Sequence, residues 1–381
     1  MQVKQIYDLV NGVTKEITGL ENVLNEDLSN IVDVGKEIYD TSNIDNYVKA
    51  LPDHIGKVIF VNRPYAGGAP SVLMDGWEYG SVVEKIMAEI PEATENETWD
   101  LVDKQSYDPN VFYKPQVSAK FFNNKTTFEI PMSFTERQVK ESFSSATQLN
   151  AFISMLYNSV EKSMTIKTDA LIQRTINNMI AETFSNAGNN GSPRCINLLA
   201  EYNARTIGEQ ATVANCLNNP AFIRYAAYRM AITKDRMAKM STLFNIGGKE
   251  RFTTPDYLHL IMLSEFQKAA GVFMESDTYH DEYVKLPNAE SVPFWQGSGK
   301  AYAFTDTSAI DVKLASDNTK TVKQSGILGV MFDRDALGVA NLDRRVTTNY
   351  NPKAEFYSNW YKFDAGYYND MNENFVVFYV A

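Results

Sequence analysis

The stretch TQLNAFISMLYNSVEKSMTIKTDALIQRTINNMIAETF, Thr147 to Phe184, decides how the rest of the chain is read. Apolar residues fall at Leu149, Phe152, Ile153, Leu156, Tyr157, Val160, Met164, Leu171, Ile172, Ile176, Met179 and Ile180, the i, i+3, i+4, i+7 spacing of one buried helical face. No Gly or Pro interrupts it. Thr147 is the expected N-cap, and Gly188 with Pro193 the expected stop. At about 1.5 Å per residue the rod would run about 55 Å. Asn158, Glu161, Lys162, Lys167, Asp169, Arg174, Asn178 and Glu182 form the expected polar face. Such a rod is either a spine carrying a wide, thin body or one helix of a large bundle.

Immediately upstream the composition changes. Between Pro64 and Pro131 lie Trp77, Tyr79, Trp99, Tyr107, Phe112, Tyr113, Phe121, Phe122 and Phe128, interspersed with acidic Glu92, Glu95, Glu97 and Asp100. Gln116 to Phe122 and Thr126 to Ile130 have strand composition, and Asn123-Asn124-Lys125 supplies turn residues, so a hairpin is expected over Lys114 to Ile130. This arm has few long aliphatic runs and a two-stranded extension is marginal alone, so it must pack on its own body or on another subunit. Further upstream, short amphipathic helices are expected at Ile6 to Val13, Leu20 to Ile31 and Ile44 to Leu51, followed by a strand at Gly56 to Val61.

Downstream, residues 194 to about 245 read as mainly helical. Tyr257 to Leu263 then reads as a buried strand, and Glu265 to Ala270 as the start of a helix. This alternation implies an α/β unit separate from the spine. Gly326 to Phe332, Glu355 to Phe363 and Asn374 to Val380 are further strands; an apolar strand at the very end ties the C-terminus into a sheet.

Composition limits the function classes. The 381 residues suffice for two or three structural units, and 44% hydrophobic with 22% charged residues is the balance of an ordered, water-exposed fold. No run approaches the roughly 20 apolar residues that span a bilayer, and Met1 to Asn11 is not a signal peptide, so a cytosolic product is expected. Cys195 and Cys216 exclude a disulfide scaffold or multi-cysteine metal site and leave one bridge formally open. A net charge of −11 argues against tight wrapping of nucleic acid, because that affinity comes from Lys and Arg neutralising phosphates.

No catalytic constellation stands out. His54, His259 and His280 are far apart and outside any His-x-x-x-His or Cys-x-x-Cys context. Gly247-Gly248-Lys249 and Gly297-Ser298-Gly299-Lys300 lack phosphate-loop spacing and read as turns, and no Gly-x-Ser-x-Gly elbow occurs. No cofactor is expected. Arg334, Arg344 and Arg345 lie among Asp333, Asp335 and Asp343, a mixed-sign set that reads poorly as a phosphate site. It suits complementary contacts between like subunits or a solvated loop.

Arm, hairpin, spine, α/β unit and returning strands follow one another in an order similar to that of the Hong Kong 97-type major capsid proteins of tailed bacteriophages. Ile327 to Gly338 (ILGVMFDRDALG), Thr347 to Phe356 (TTNYNPKAEF) and Asn372 to Phe378 (NENFVVF) resemble segments of phage major head proteins. Asp53 to Val58 and Phe152 to Ser159 also resemble that family, including head proteins of small podoviruses. The resemblance implies an α+β Hong Kong 97-like capsid fold: 1–61 N-terminal arm and start of the peripheral domain, 62–132 an extended E-loop, 133–190 the peripheral domain with its spine, 191–326 the axial domain, and 327–381 returning strands that close both. It implies a non-enzymatic shell protein of the virion, assembled in the host cytoplasm into hexameric and pentameric capsomers. Such a shell encloses double-stranded DNA without reading its sequence, touches no membrane, and works with a portal and, given the short arm, a separate scaffolding protein. No cross-linking Lys and Asn pair can be assigned. Contacts between subunits are expected from Arg63, Trp77, Glu78, Trp99, Lys104, Phe112 and Tyr113 of the arm, and from Arg334, Asp335, Arg344 and Arg345 of the mixed-sign set. An encapsulin-like compartment shell and an enzyme with a dispersed site are the alternatives.

Overall fold

The computed structural model describes residues 3–18, 25, 29–30, 32–34, 50, 69–74, 83–88, 102–105, 110, 112–114, 117–142, 144–187, 192–207, 210–275, 289–295 and 309–381. The expected strand at Gly56 to Val61 lies outside these residues, as do most of the second and third expected N-terminal helices and Gly297 to Lys300. The first of those helices is present and longer than expected, α1 (Val3–Thr18).

A short 3₁₀ turn at Pro70–Val72 leads into β1 (Leu73–Met74), and β2 (Val83–Ala88), β3 (Val117–Phe122) and β4 (Lys125–Thr135) follow. Both strands of the expected hairpin exist, but they do not pair with each other. β3 pairs antiparallel with β2, and β4 turns away to pair with β12 (Phe356–Asn369). The alternating apolar positions of β4 explain the choice. Phe128, Ile130 and Phe134 need a buried face, which the core supplies and a ribbon cannot.

After α2 (Glu136–Ser142) comes the spine, α3 (Ala146–Ala187), 42 residues and about 63 Å long. It starts one residue before Thr147, and the first-turn cap is Ser145, whose Oγ accepts from the Gln148 amide at 3.2 Å. Of the expected apolar stripe, Leu149, Ile153, Leu156, Val160, Met164, Leu171, Ile172, Ile176, Met179 and Ile180 are buried and Phe152 is half-buried. The expected polar face holds only over the first half. From Thr168 to Thr183 the helix is enclosed nearly all round, and Glu182 is buried, accepting from the Ser316 amide (2.9 Å) and hydroxyl (2.5 Å). Thr165, Thr175 and Thr183 satisfy their hydroxyls on the carbonyls four residues back, which lets polar residues sit on an enclosed helix.

The remaining elements are β5 (Cys195–Asn197), α4 (Leu198–Arg205), α5 (Pro220–Met237), β6 (Leu258–Leu263), α6 (Ser264–Glu275), β7 (Glu290–Val292), β8 (Ile310–Lys313), β9 (Thr321–Gln324), β10 (Ile327–Asp333), β11 (Leu337–Asn351) and β13 (Phe375–Tyr379). Two sheets dominate: β1-β11-β12-β4, and β5-β13-β10-β6-β7. One continuous apolar cluster runs from Leu149 of the spine to Phe332 and Phe378 of the five-stranded sheet, and Phe184 meets Tyr379 edge-on at 5.0 Å. Both cysteines are free and buried.

Two short crossings between the sheets, at Asp333–Ala336 and at Asp370–Asn374, are bonded to each other. Asp333 N donates to Asn374 O (3.0 Å) and Asp370 N to Ala336 O (2.7 Å). At the far end of β10, Gly326 takes φ +70°, and a Cβ there would lie 2.2 Å from the Val380 carbonyl oxygen. Gly248 has a similar φ of +63° with nothing near it. Gly248→Ala is therefore expected to cost about 1 kcal/mol, the left-handed backbone alone, and Gly326→Ala at least about 3 kcal/mol. Urea unfolding of the unassembled subunit measures the difference.

Candidate inter-subunit surface

The β2–β3 ribbon has two chemically opposite faces. Antiparallel register sets Lys85 against Lys120, Ile86 against Ala119, Glu84 against Phe121 and Ala88 against Val117. Since side chains alternate along each strand, the positions of Ile86, Val117, Ala119 and Phe121, with the acidic position Glu84, share one face and those of Lys85, Lys120 and Phe122 the other. The first face points to solvent: Ile86 is 66% exposed, Val117 61% and Phe121 61%. No other described residue covers it.

The second face is pinned to the second crossing. Lys85 Nζ lies 3.2 Å from Asp370 Oδ2 and 2.7 Å from Glu373 Oε1, Lys120 Nζ 2.9 Å from Asp370 Oδ1, and Arg251 Nε 3.2 Å from Glu373 Oε1. Phe122 packs on Tyr368 at 5.0 Å between centroids, with the Lys120 ammonium 5.2 Å above the Phe122 ring. Among the described residues the ribbon thus packs on the body through its Lys85–Lys120–Phe122 face, and Ile86, Val117 and Phe121 on the other face stay exposed.

Because Asp370 is fully buried, its charge survives only by pairing. Burial by itself raises the Asp370 pKa, but the Lys120 hydrogen bond and the Lys85 charge outweigh it and hold the carboxyl below its ordinary range. Burial likewise lowers the Lys85 pKa, and Glu373 with Asp370 reverse that and raise it. Burial and the neighbouring carboxylates push the Tyr368 hydroxyl upward, so it stays neutral.

The expected contact residues separate into distinct places. Arg63, Trp77, Glu78 and Trp99 lie outside the described residues. Phe112 and Tyr113 are each 84% exposed, and Lys104 sits on an exposed turn with φ +70°. Arg334 and Asp335 are exposed on the first crossing, where buried Asp333 shapes the turn by accepting the Asp335 amide at 2.9 Å. Arg344 and Arg345 are on strand β11, not on a loop, at least nine residues further along the chain and so about 30 Å away. Arg345 is matched within its own chain, to Asp364 (2.9 Å) and Asp343 (3.3 Å), and Arg344 is half-buried. The pinning set was not anticipated. Lys85 and Glu373 are 288 positions apart and carry no sequence signal, whereas the exposed apolar face was readable from register once β2 was known to pair with β3.

Among the described residues no cluster of His, Cys, Asp and Glu could hold a metal ion, and no helix is long and apolar enough to cross a membrane. His259 is half-buried against Phe332 and burial lowers its pKa.

Residues 8–379 match the sequence profile of the Phi29-like phage major capsid protein family. Among solved structures, the chain is similar to one from the capsid structure of Staphylococcus phage Andhra, at 10% identity with TM-score 0.54, covering 84% of this chain and 85% of that one. It is also similar to a chain from the structure of head fiber and inner core protein gp22 of native bacteriophage P68, at 7% identity with TM-score 0.51, covering 84% and 86%. At these identities the likeness concerns the fold. Comparison with curated proteins gives no match.

Asp370 contributes stability above the ordinary carboxylate pKa of about 3.9, and this is lost as pH falls through its depressed value. Lys85 contributes below about 10.4, and this is lost as pH rises through its raised value. Hydrogen exchange at residues 83–88 and 117–122 is expected to stay protected between these limits and to lose protection in acid. Asp370→Ala is expected to lose about 3 kcal/mol by urea unfolding, and Lys120→Met, with its more exposed side chain, about 1 kcal/mol.

Proposed function

The chain belongs to the Phi29-like phage major capsid protein family, and from that premise we propose how its surfaces build a shell. It is a structural protein of the virion capsid with an α+β, Hong Kong 97-like fold. Family membership directs the reading to a phage head and away from an encapsulin-like compartment or a dispersed-site enzyme.

The observation that carries the proposal is the bare apolar face of the β2–β3 ribbon. A two-stranded ribbon is marginal by itself, and among the described residues the body covers the charged-and-Phe122 face while Ile86, Val117 and Phe121 stay exposed. Ile86, Val117 and Phe121 find burial on a neighbouring subunit, each adding roughly 1–2 kcal/mol for the exposed area removed from water. Residues 62–132 then form the E-loop reaching over that neighbour, 133–190 with α3 the peripheral domain, 191–326 the axial domain, and 327–381 the strands that tie the two together. Phe112, Tyr113 and Lys104 extend the same contact, with Arg63, Trp77, Glu78 and Trp99 on the same segment. Arg334 and Asp335 act at a second contact beside the crossing, and Arg344 and Arg345 at a third on the four-stranded sheet.

Repeated around closed symmetry axes, contacts of this size make a durable shell from individually modest terms. The subunits form hexameric and pentameric capsomers in the host cytoplasm, with a scaffolding protein and a portal as partners. The shell encloses DNA without sequence-specific binding, consistent with the chain's net charge of −11.

Phe121→Asp and Ile86→Asp test this directly. Both positions are exposed, so the subunit is expected to keep its urea midpoint within about 0.5 kcal/mol. Sedimentation is expected to show shell particles lost. Variants that assemble as well as the native chain would refute the ribbon contact.

A further inference from the structure

The segment that leads into the arm, Ala69 to Met74, ties the two sheets together along one edge. Leu73 and Met74 pair with Val339 and Ala340 of β11 in the four-stranded sheet. Two residues before Leu73, Ser71 is held by Glu290 of β7, the edge strand of the five-stranded sheet. The Ser71 amide donates to Glu290 Oε1 at 3.0 Å and the Ser71 hydroxyl to Oε2 at 2.7 Å. Ala69 and Val72, on either side, are fully buried. Both oxygens of the carboxylate are thus engaged by neutral donors.

Beside this contact lies an imidazole with a bare nitrogen. Parallel register sets Ile261 of β6 against Glu290, and His259 lies two residues before Ile261 on the same face. His259 and Glu290 are therefore diagonal neighbours, about 8 Å apart at the backbone. His259 packs on Phe332, its antiparallel partner on β10, at 5.8 Å between ring centroids. Its Nε2 is buried and has no hydrogen-bond partner among the described residues. The charged groups that face it are Glu290 from β7, with Asp333 and Arg334 where β10 enters the first crossing. Asp333 is tied into the turn by the Asp335 amide, so the carboxylate able to swing toward His259 is that of Glu290, and only by leaving Ser71.

A neutral imidazole with its proton on Nδ1 presents only a lone pair at Nε2; protonation places an N–H and a positive charge in the same enclosed position. A buried donor and a buried charge are both costly without partners. A Glu290 that releases Ser71 supplies the acceptor and the counter-charge together.

We propose that His259 and Glu290 form an acid-sensitive latch on the segment leading into the arm: proton uptake at His259 Nε2 turns the Glu290 carboxylate to the imidazolium and frees Ser71. The proton comes from solvent, and the N–H is the one covalent bond made. In the latched state burial lowers the His259 pKa. In the released state the imidazolium is paired and its pKa is higher, so acid favours release, by up to about tenfold per pH unit between the two values. This latch begins to open nearer neutrality than the Asp370 clamp on the ribbon, whose carboxyl titrates below its ordinary range. The two ends of the arm are accordingly released by different amounts of acid. The inference goes beyond the shell reading and does not rest on it.

Hydrogen exchange on the unassembled full-length subunit between pH 7 and 5, corrected for the intrinsic rate, tests the latch. The amides of Ser71 to Met74 are expected to exchange faster as pH falls, while residues 83–88 and 117–122 keep their protection. His259→Leu retains an apolar contact with Phe332 but cannot take a proton, and is expected to flatten the response at 71–74. Glu290→Gln still accepts from Ser71 but carries no charge, and is expected to flatten it too. A native chain with no pH dependence at 71–74 over this range overturns the latch, as does an unchanged response in either variant. Should these variants not fold, Ser71→Ala decides, because it weakens the hold on Glu290 without touching His259. The imidazole, followed by NMR, is then expected to titrate about half a pH unit or more above its value in the native chain, and an unmoved titration overturns the proposal.

Discussion

The structure depends on a pair of side-by-side crossings in which one chain passes from the five-stranded sheet to the four-stranded sheet and returns. β10 and β13 are neighbours in one sheet, β11 and β12 in the other, and the segments between them, Asp333–Ala336 and Asp370–Asn374, bond to each other. The Gly247 amide donates to the Met371 carbonyl in the second crossing and the Phe375 amide to the Phe244 carbonyl, Asn374 Nδ2 donates to Thr253 Oγ1, and Asp370 with Glu373 holds Lys85, Lys120 and Arg251. Burying two carboxylates is costly unless cations balance them, so the ribbon cannot leave its root without stranding Asp370.

That constraint separates what must be rigid from what must be shared. The spine and both sheets form one apolar cluster, which gives each subunit a fixed frame. The β2–β3 ribbon is fixed to this frame by charge on one face, while Ile86, Val117 and Phe121 stay exposed on the other. A molecule built this way reaches its lowest free energy only when copies surround it, which is the physical meaning of a shell subunit.

Local periodicity was legible wherever a residue's fate depended on near neighbours. The 3.6-residue pattern of Leu149 to Ile180 gave the spine, and the apolar runs at Leu258–Leu263, Ile327–Asp333 and Phe375–Tyr379 gave the central strands. The pairing of β3 was misread because the Asn123-Asn124-Lys125 turn favours a hairpin locally, while Phe128, Ile130 and Phe134 gain more from the core. The spine's supposed polar face was misread for a similar reason: whether Glu182 meets water depends on the β8–β9 hairpin more than a hundred residues away, where Ser316 satisfies it. The long strand β11 escaped notice because its outward positions are polar and charged.

The sequence by itself determined the spine, the strand-rich ending, the unsupported aromatic arm and, through segments such as Ile327 to Gly338, the resemblance to phage head proteins. These depend on residue spacing and on short runs, which are written directly in the chain. Only the tertiary structure decided which strands pair, which face of the ribbon is bare, and which carboxylates pin it. Those outcomes are competitions between contacts hundreds of positions apart, as with Lys85 and Glu373, and their winner is set by which groups can be buried and paired together once the whole chain has folded.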